Sequence, residues 1–545
     1  MRFLVLSAAL LLAGCASKPV DPVAACAALN EPPRGVTIES ATLVAPTPLM
    51  VRPKVPFSPP PPEIAVAPAL PEYCQVIGAI APIDPKAPPI RFQVNLPTQW
   101  NGNSLQYGGG GFNGMLITGL GLTPSARPDR PGPLARGYVT YGTDSGHQNA
   151  PGVPLQAFAL NDEALVNFAH ASYKKVRDAA VDLMKRRYGE APKKLYFFGS
   201  SEGGREGITM AQRYPADFDG IFSRVPVINW VALQAAGTRA GVAQFGDGWL
   251  APDNVKLVHE AVAAACDARD GLTDGIVGDY EGCMRVFDVD KLRCTAAPAT
   301  GCLTEPQVKA VQAMHTPLQL NYTLANGVRG YPAWGRGGEN APGSGPVGGW
   351  PSWQTGTAPP TLPPGPASSR AWLYGSGAIQ YFIARDPTYD PRRFNPDEFV
   401  GRMREVSALM DSTNPDLSAF AARGGKLIIS EHMADYAQSP YAGIEYYKSV
   451  LERMGQSAAE DFLRLYVTPG ADHMGIGAPS AVDMVEVLSD WVERGKAPGE
   501  LVQVTHELKL PFPIVAARPM CRYPAFPRYL GGDVAKAESF DCAQR

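Results

Sequence analysis

Ser201, Asp435 and His473 have the residue types, and stand in the chain order, needed for nucleophilic catalysis. Ser201 sits in the run Gly199-Ser200-Ser201-Glu202-Gly203-Gly204, a G-x-S-x-G frame. A serine hydroxyl attacks poorly unless a base takes its proton as the new bond forms. His473 can be that base, and its imidazole needs a carboxylate to fix the tautomer. Two late strand-like runs each lead into a loop with candidates: Lys426–Ile429 into Glu431-His432-Met433-Ala434-Asp435, and Leu463–Val467 into Asp472-His473. Asp435 is assigned as the orienting acid. Asp472 adjoins His473, and adjacent side chains rarely aim at each other; Glu431 is the other rival. His147 precedes the serine, the wrong order for this arrangement. His432 is at best a supporting residue, and His170, His259, His315 and His506 carry no catalytic signal.

These residues need a scaffold that brings strand ends together. Leu195-Tyr196-Phe197-Phe198 reads as a buried strand, and Glu202 to Tyr214 as a helix ending at Pro215. A G-x-S-x-G turn between strand and helix is a nucleophile elbow, which points to an α/β-hydrolase fold with a mostly parallel, doubly covered sheet. Ile90–Leu96, Ser104–Tyr107 and Tyr138–Tyr141 read as earlier strands. A helix from 162 to 188 places Leu165, Val176, Ala180, Leu183 and Met184 on one face, with Gly189 as its C-cap. Another helix is expected near 482–493. The oxyanion of a tetrahedral intermediate needs backbone donors: the N–H of Glu202, directly after the nucleophile, and one from the Gly108–Gly111 loop. A dinucleotide fingerprint is disfavoured at that loop because no helix follows it.

The rhythm breaks between 228 and 411. Six of the eight tryptophans lie there (Trp230, Trp249, Trp334, Trp350, Trp353, Trp372), with four cysteines and a Gly/Pro-rich run. This stretch reads as an inserted lid, most of its tryptophans forming the lid's own core and one or two facing substrate. The catalytic domain is then 69–227 and 412–545. In the lid, Asp267, Asp270 and Asp274 recur at intervals of three and four, separated by glycines. Such hard oxygens suit Ca²⁺, although the spacing is not that of an EF-hand; a solvated acidic turn is the alternative.

Residues 1–15 look like a bacterial lipoprotein signal ending at Cys15, which would become a lipidated first residue; an ordinary cleaved signal peptide is the alternative. Residues 16–68, rich in Pro and Ala, read as an extended tether and entry segment. Export agrees with cysteine use: apart from Cys15, the even set Cys26, Cys74, Cys266, Cys283, Cys294, Cys302, Cys521 and Cys542 suggests four disulfides, with neighbour pairing the simplest of many connectivities. A net charge of −3 with 19% charged residues offers no basic stripe and argues against a nucleic-acid partner. Membrane contact is expected only through a lipid anchor.

With these residues in view, the chain resembles the tannase and feruloyl esterase family from Cys26 to Cys542. The matching segments are Trp100-Asn101-Gly102, the Gly108–Gly114 loop, Gly199-x-Ser201-Glu202-Gly203-Gly204-Arg205-Glu206-Gly207, Cys266–Cys283, Asp435 and Asp472-His473. The resemblance implies that Gly111 is the second oxyanion donor. It also implies a structural lid Ca²⁺ held by the Asp267, Asp270 and Asp274 side chains with the Leu272 and Ile276 carbonyls. Trp353 stands where a lid tryptophan of the family contacts substrate. The activity implied is a serine carboxylesterase acting on small esters of aromatic carboxylic acids, feruloyl or related phenolic esters first, terephthalate monoesters second and galloyl esters third. Two features depart from the family. Its usual cysteine pair beside the nucleophile and the histidine is replaced by Ser200 and Met474. The region 358–369, where the terephthalate monoester enzyme has a carboxylate-binding arginine, has none, and Arg370 follows it out of register. The missing pair leaves one rival reading, a catalytically dead hydrolase fold serving as a surface binding lipoprotein.

Overall fold

The computed structural model of the protein describes residues 21–32, 35–53, 64–295, 301–342 and 348–544. Cys15 and the signal segment lie outside the described residues. An eleven-stranded sheet forms the centre: β1 (Val36–Val44), β2 (Tyr73–Ile80), β3 (Ile90–Pro97), β4 (Asn103–Tyr107), β5 (Val139–Thr143), β6 (Lys194–Ser200), β7 (Gly220–Arg224), β8 (Lys426–His432), β9 (Leu463–Thr468), β10 (Leu501–His506) and β11 (Ile514–Arg522), in the order β1-β2-β3-β5-β4-β6-β7-β8-β9-β11-β10. The middle six, β5 to β9 in that order, are parallel, and antiparallel strands extend the sheet on both sides.

The uniform apolarity of β6 follows from burial on both faces. Leu195 and Phe197 share one buried cluster with Ile208, Met210 and Ala211 of the helix Glu202–Arg213, whereas Tyr196 and Phe198 share another with Val485, Leu488 and Trp491 of the helix Met484–Arg494. Each such buried large side chain contributes roughly 1.5–3 kcal/mol. The early helical stretch runs from 162 to 188 with a π-helical turn at Asn167–Ala171. All five of its expected inward residues are buried, and Gly189 caps it at φ +79° with its N–H on the Lys185 carbonyl.

Among the described residues, no segment between β7 and β8 joins the main sheet. The inserted stretch builds its own core from Trp230, Trp334, Trp350, Phe382 and the inner face of the helix Pro252–Cys266. Trp372 is also fully buried, so four of the six tryptophans are interior; Trp353 is only partly covered. The disulfides join Cys26–Cys74, Cys266–Cys283, Cys294–Cys302 and Cys521–Cys542, the neighbour pairing.

The entry segment carries ordered elements. The stretch 16–68 is not wholly a tether: Pro22–Ala27 is helical, Cys26 is bonded to Cys74, and Val36–Val44 pairs antiparallel with β2 as the sheet edge. Its half-exposed, β-branched alternation is that of an edge strand, and the surrounding prolines and alanines hid it from a reading by composition.

Candidate active site

Ser201 follows β6 and caps the helix Glu202–Arg213 with φ +61° and ψ −121°, a conformation that costs a non-glycine residue roughly 1–3 kcal/mol. The surroundings enforce it. The Ser201 N–H donates to the Arg224 carbonyl at 2.9 Å, and its own carbonyl accepts from Arg205 N–H at 3.1 Å. The glycines flanking the serine answer to contact: a Cβ at Gly199 would lie 2.0 Å from the Gly203 carbonyl oxygen, and one at Gly203 would lie 2.7 Å from the Gly109 carbonyl oxygen. The elbow and the glycine-rich loop therefore touch backbone to backbone.

His473 Nδ1 lies 2.7 Å from Asp435 Oδ2, both side chains buried. With Nδ1–H donating there, Nε2 keeps its lone pair for a proton from a serine. Asp435 is itself held: Oδ1 accepts from the Ala437 and Gln438 N–H groups at 2.7 and 3.1 Å, and Gln438 Nε2 donates to Glu431 Oε2 at 2.9 Å and to Asp435 Oδ2 at 3.3 Å. Burial, and next the Asp435 charge, push the Glu431 carboxyl well above its ordinary range.

The rival residues have other partners. Asp472 Oδ1 accepts from Met474 and Ile476 N–H at 2.9 and 2.8 Å, shaping the histidine loop, and the Asp472 carbonyl lies 2.7 Å from His432 Nδ1. His147 Nε2 lies 2.7 Å from the Phe112 carbonyl and its ring stacks on Phe158; burial pushes its pKa down to about 4. It braces the glycine-rich loop as a neutral ring.

That loop commits its amides one by one. Gly108 N–H donates to the Phe198 carbonyl at 2.9 Å, Gly109 N–H to Glu206 Oε2 at 2.8 Å, and Gly110 N–H to Asn113 Oδ1 at 2.6 Å. Gly111, at φ +60°, comes next, with no such acceptor among the described residues. Glu202 N–H stands in the first turn of its helix, where amides lack intrahelical partners and the dipole favours negative charge. These are the two amides expected to serve an oxyanion.

The walls are aromatic. Trp353 lies 5.9 Å from His473 between ring centroids, 6.4 Å from Tyr436 and 5.4 Å from Tyr374; Tyr374 in turn lies 5.1 Å from Phe112. Arg370 is placed over Trp353 at 5.6 Å, its Nη1 donating to Ser352 Oγ at 3.0 Å. Ser200 Oγ accepts from Arg224 Nε at 2.9 Å, and burial lowers the Arg224 pKa to about 10. A Cβ at Gly475, two residues past His473, would lie 3.3 Å from Arg224 Nη1. A guanidinium thus spans between the two loops that the family pattern joins by a disulfide. Sequence reasoning passed over Tyr374, Arg224 and Gln438, which carry no motif, and set Arg370 aside on register.

The acidic loop keeps Asp267 and Asp270 buried and Asp274 exposed against Arg518. Asp267 accepts from Asp274 and Gly275 N–H, Asp270 from Leu272 N–H, and the Ile276 carbonyl from Gly278 N–H. The oxygen donors fit a hard cation in kind. Among the described residues, however, no three acidic, His or Cys side chains converge closely enough to hold a metal.

The model of the family described as "Tannase and feruloyl esterase" matches residues 74–543. The chain belongs to that family. An uncharacterized esterase of Agrobacterium fabrum is 37% identical over 488 residues, covering 87% of this chain and 86% of its own. The mono(2-hydroxyethyl) terephthalate hydrolase of Piscinibacter sakaiensis is 33% identical, covering 88% and 86%. Among solved structures, an esterase from Aspergillus oryzae superposes with a TM-score of 0.79 at 22% identity, covering 96% of this chain and 100% of that one, a likeness of fold. As a tannase and feruloyl esterase family member, the protein is a carboxylic ester hydrolase. Among the described residues no helix is long and apolar enough to cross a membrane.

Proposed function

We propose that the protein hydrolyses esters of aromatic carboxylic acids with Ser201 as nucleophile, His473 as general base and Asp435 as the residue orienting it. The observation that carries this reading is the 2.7 Å Asp435–His473 contact beside the Trp353 wall. Ser201 Oγ bonds to the ester carbonyl carbon as its proton passes to His473 Nε2, and the carbonyl π pair moves onto oxygen, facing Gly111 and Glu202 N–H. Collapse breaks the bond to the alkoxy oxygen, which leaves as alcohol with the proton from His473. Water, deprotonated by the same nitrogen, then adds to the acyl-enzyme and releases the acid. The flat walls of Trp353, Tyr374 and Phe112 favour an aromatic acyl group, feruloyl or phenolic by first choice.

Arg370 supports a second reading, terephthalate monoesters. A guanidinium stacked on Trp353 is a suitable partner for a carboxylate at the far end of a flat acid. Hydrolysis of matched feruloyl, galloyl and terephthaloyl esters by wild type and Ser201→Ala tests both. If wild type is no faster than Ser201→Ala on any of them, or a fluorophosphonate fails to label Ser201, the mechanism fails. If Arg370→Ala leaves kcat/KM for terephthaloyl monoesters unchanged, the second reading fails.

We further propose a Ca²⁺ on the acidic lid loop, supported by the hard oxygens of the buried Asp267 and Asp270 and by Asp274, whose N–H Asp267 holds. Export with a lipid on Cys15 is also proposed, supported by the lipobox-like Leu12-Ala13-Gly14-Cys15 and the four disulfides. Mass spectrometry of the mature N-terminus from a bacterial host tests it; an unmodified N-terminus refutes the anchor.

A further inference from the structure

We infer that Tyr374 is a third oxyanion donor, delivered from the inserted segment, so that the hole is complete only when that segment is seated. The inference rests on the serine esterase reading above. It begins with a contact: a Cβ at Gly111 would lie 2.9 Å from Tyr374 Oη. The phenol oxygen therefore stands against the residue whose N–H is uncommitted, on a helix (Arg370–Ala378) from the other part of the chain.

The ring has little freedom. It meets Phe112 edge-on at 5.1 Å and 71°, and Trp353 at 5.4 Å and 75°, while Trp353 reaches His473. Such offset aromatic pairs fix orientation as well as burying area. The hydroxyl has no hydrogen-bond partner among the described residues, although the ring is largely covered. The phenol proton is therefore free for an acceptor that enters the pocket. An oxygen accepting from Gly111 N–H is inferred to come within reach of Tyr374 Oη as well, and an oxyanion can take more than two donors. Burial raises the phenol pKa above its ordinary value, so the group keeps its proton through the working pH range.

The test is Tyr374→Phe, which keeps the ring and removes only the donor. Losing a single oxyanion donor costs on the order of 10²–10³ in kcat; a hydroxyl sharing the charge with two amides should cost about tenfold, with KM little changed. Benzeneboronic acid separates charge stabilisation from ordinary contact. Ser201 Oγ bonds to boron, its proton passes to His473, and the tetrahedral, negatively charged boronate places one of its hydroxyl oxygens in the hole. The variant should bind this boronate about tenfold more weakly while binding benzoate as wild type does, which also reports an intact pocket. Unchanged kcat, or equal losses for boronate and benzoate, would overturn the inference. Absence of activity in wild type would instead sink the underlying esterase reading.

Discussion

The Glu206 carboxylate, one turn into the nucleophile helix, accepts the Gly109 N–H at 2.8 Å and so ties the glycine-rich loop to the elbow. Its other oxygen accepts from Asn113 Nδ2 at 2.8 Å and from the Tyr173 hydroxyl. Asn113 in turn holds Gly110 N–H, so one buried carboxylate sets the path of the segment that ends in Gly111. Glu206→Gln must turn an N–H₂ toward one of these donors, leaving a buried mismatch worth about 1–3 kcal/mol. We expect a lower melting temperature and a fall in kcat of about tenfold or more, with Ser201 still labelled by a fluorophosphonate. Wild-type kcat in Glu206→Gln would show that the loop holds its position without this tie.

Asp435→Asn should preserve the fold and remove catalysis. The asparagine is isosteric and can still accept from Ala437 and Gln438 N–H. It no longer forces His473 to carry its proton on Nδ1, and it cannot stabilise the imidazolium. Loss of about 10⁴ in kcat at an unchanged melting temperature is expected. A loss below tenfold would move the orienting role elsewhere, with Asp472 the next carboxylate to examine.

Local chemistry explains what was readable in the chain. The elbow, the two late loops and the central strands were legible because burial on both faces makes β6 and its neighbours uniformly apolar, and because catalysis demands Ser, Asp and His at strand ends. β1 escaped notice: an edge strand needs only half of its residues apolar, and Pro/Ala-rich sequence surrounds it. The pocket walls were less legible still. Tyr374 and Arg370 reach the site through the packing of an inserted segment whose helices obey its own core, so spacing along the chain does not encode their approach to Gly111 and Trp353. Arg224 takes its place beside Ser200 through strand pairing of β6 with β7, a contact no linear motif marks.

Calcium makes a separable prediction. If Asp267, Asp270 and Asp274 gather around Ca²⁺, the ion stabilises the native state by about 2.7 kcal/mol at a free concentration a hundredfold above Kd. EDTA should lower the melting temperature, Ca²⁺ should restore it, and Asp267→Asn should abolish the response. Because the loop lies at one end of the helix that Cys266–Cys283 staples, the loss should appear first in lid stability. A protein that retains neither bound metal nor an EDTA response has an acidic turn there and nothing more.

Glu431→Gln tests the support behind the triad through pH. Burial first, and then the Asp435 charge, hold the Glu431 carboxyl well above its ordinary range, so the folded protein keeps a proton there that the unfolded chain releases from about pH 4.3 upward. In that window the native state binds more protons than the unfolded one, and stability falls as pH rises, by at most about 1.4 kcal/mol per pH unit, until the folded pKa is passed. Glutamine never ionises, yet its carbonyl can still accept from Gln438 Nε2, which also reaches Asp435. The melting temperature of Glu431→Gln relative to wild type should therefore climb between pH 5 and pH 8, with kcat held within a few-fold. A difference that stays flat across this range would mean that Glu431 is ionised in the folded protein and that its negative charge is tolerated beside Asp435.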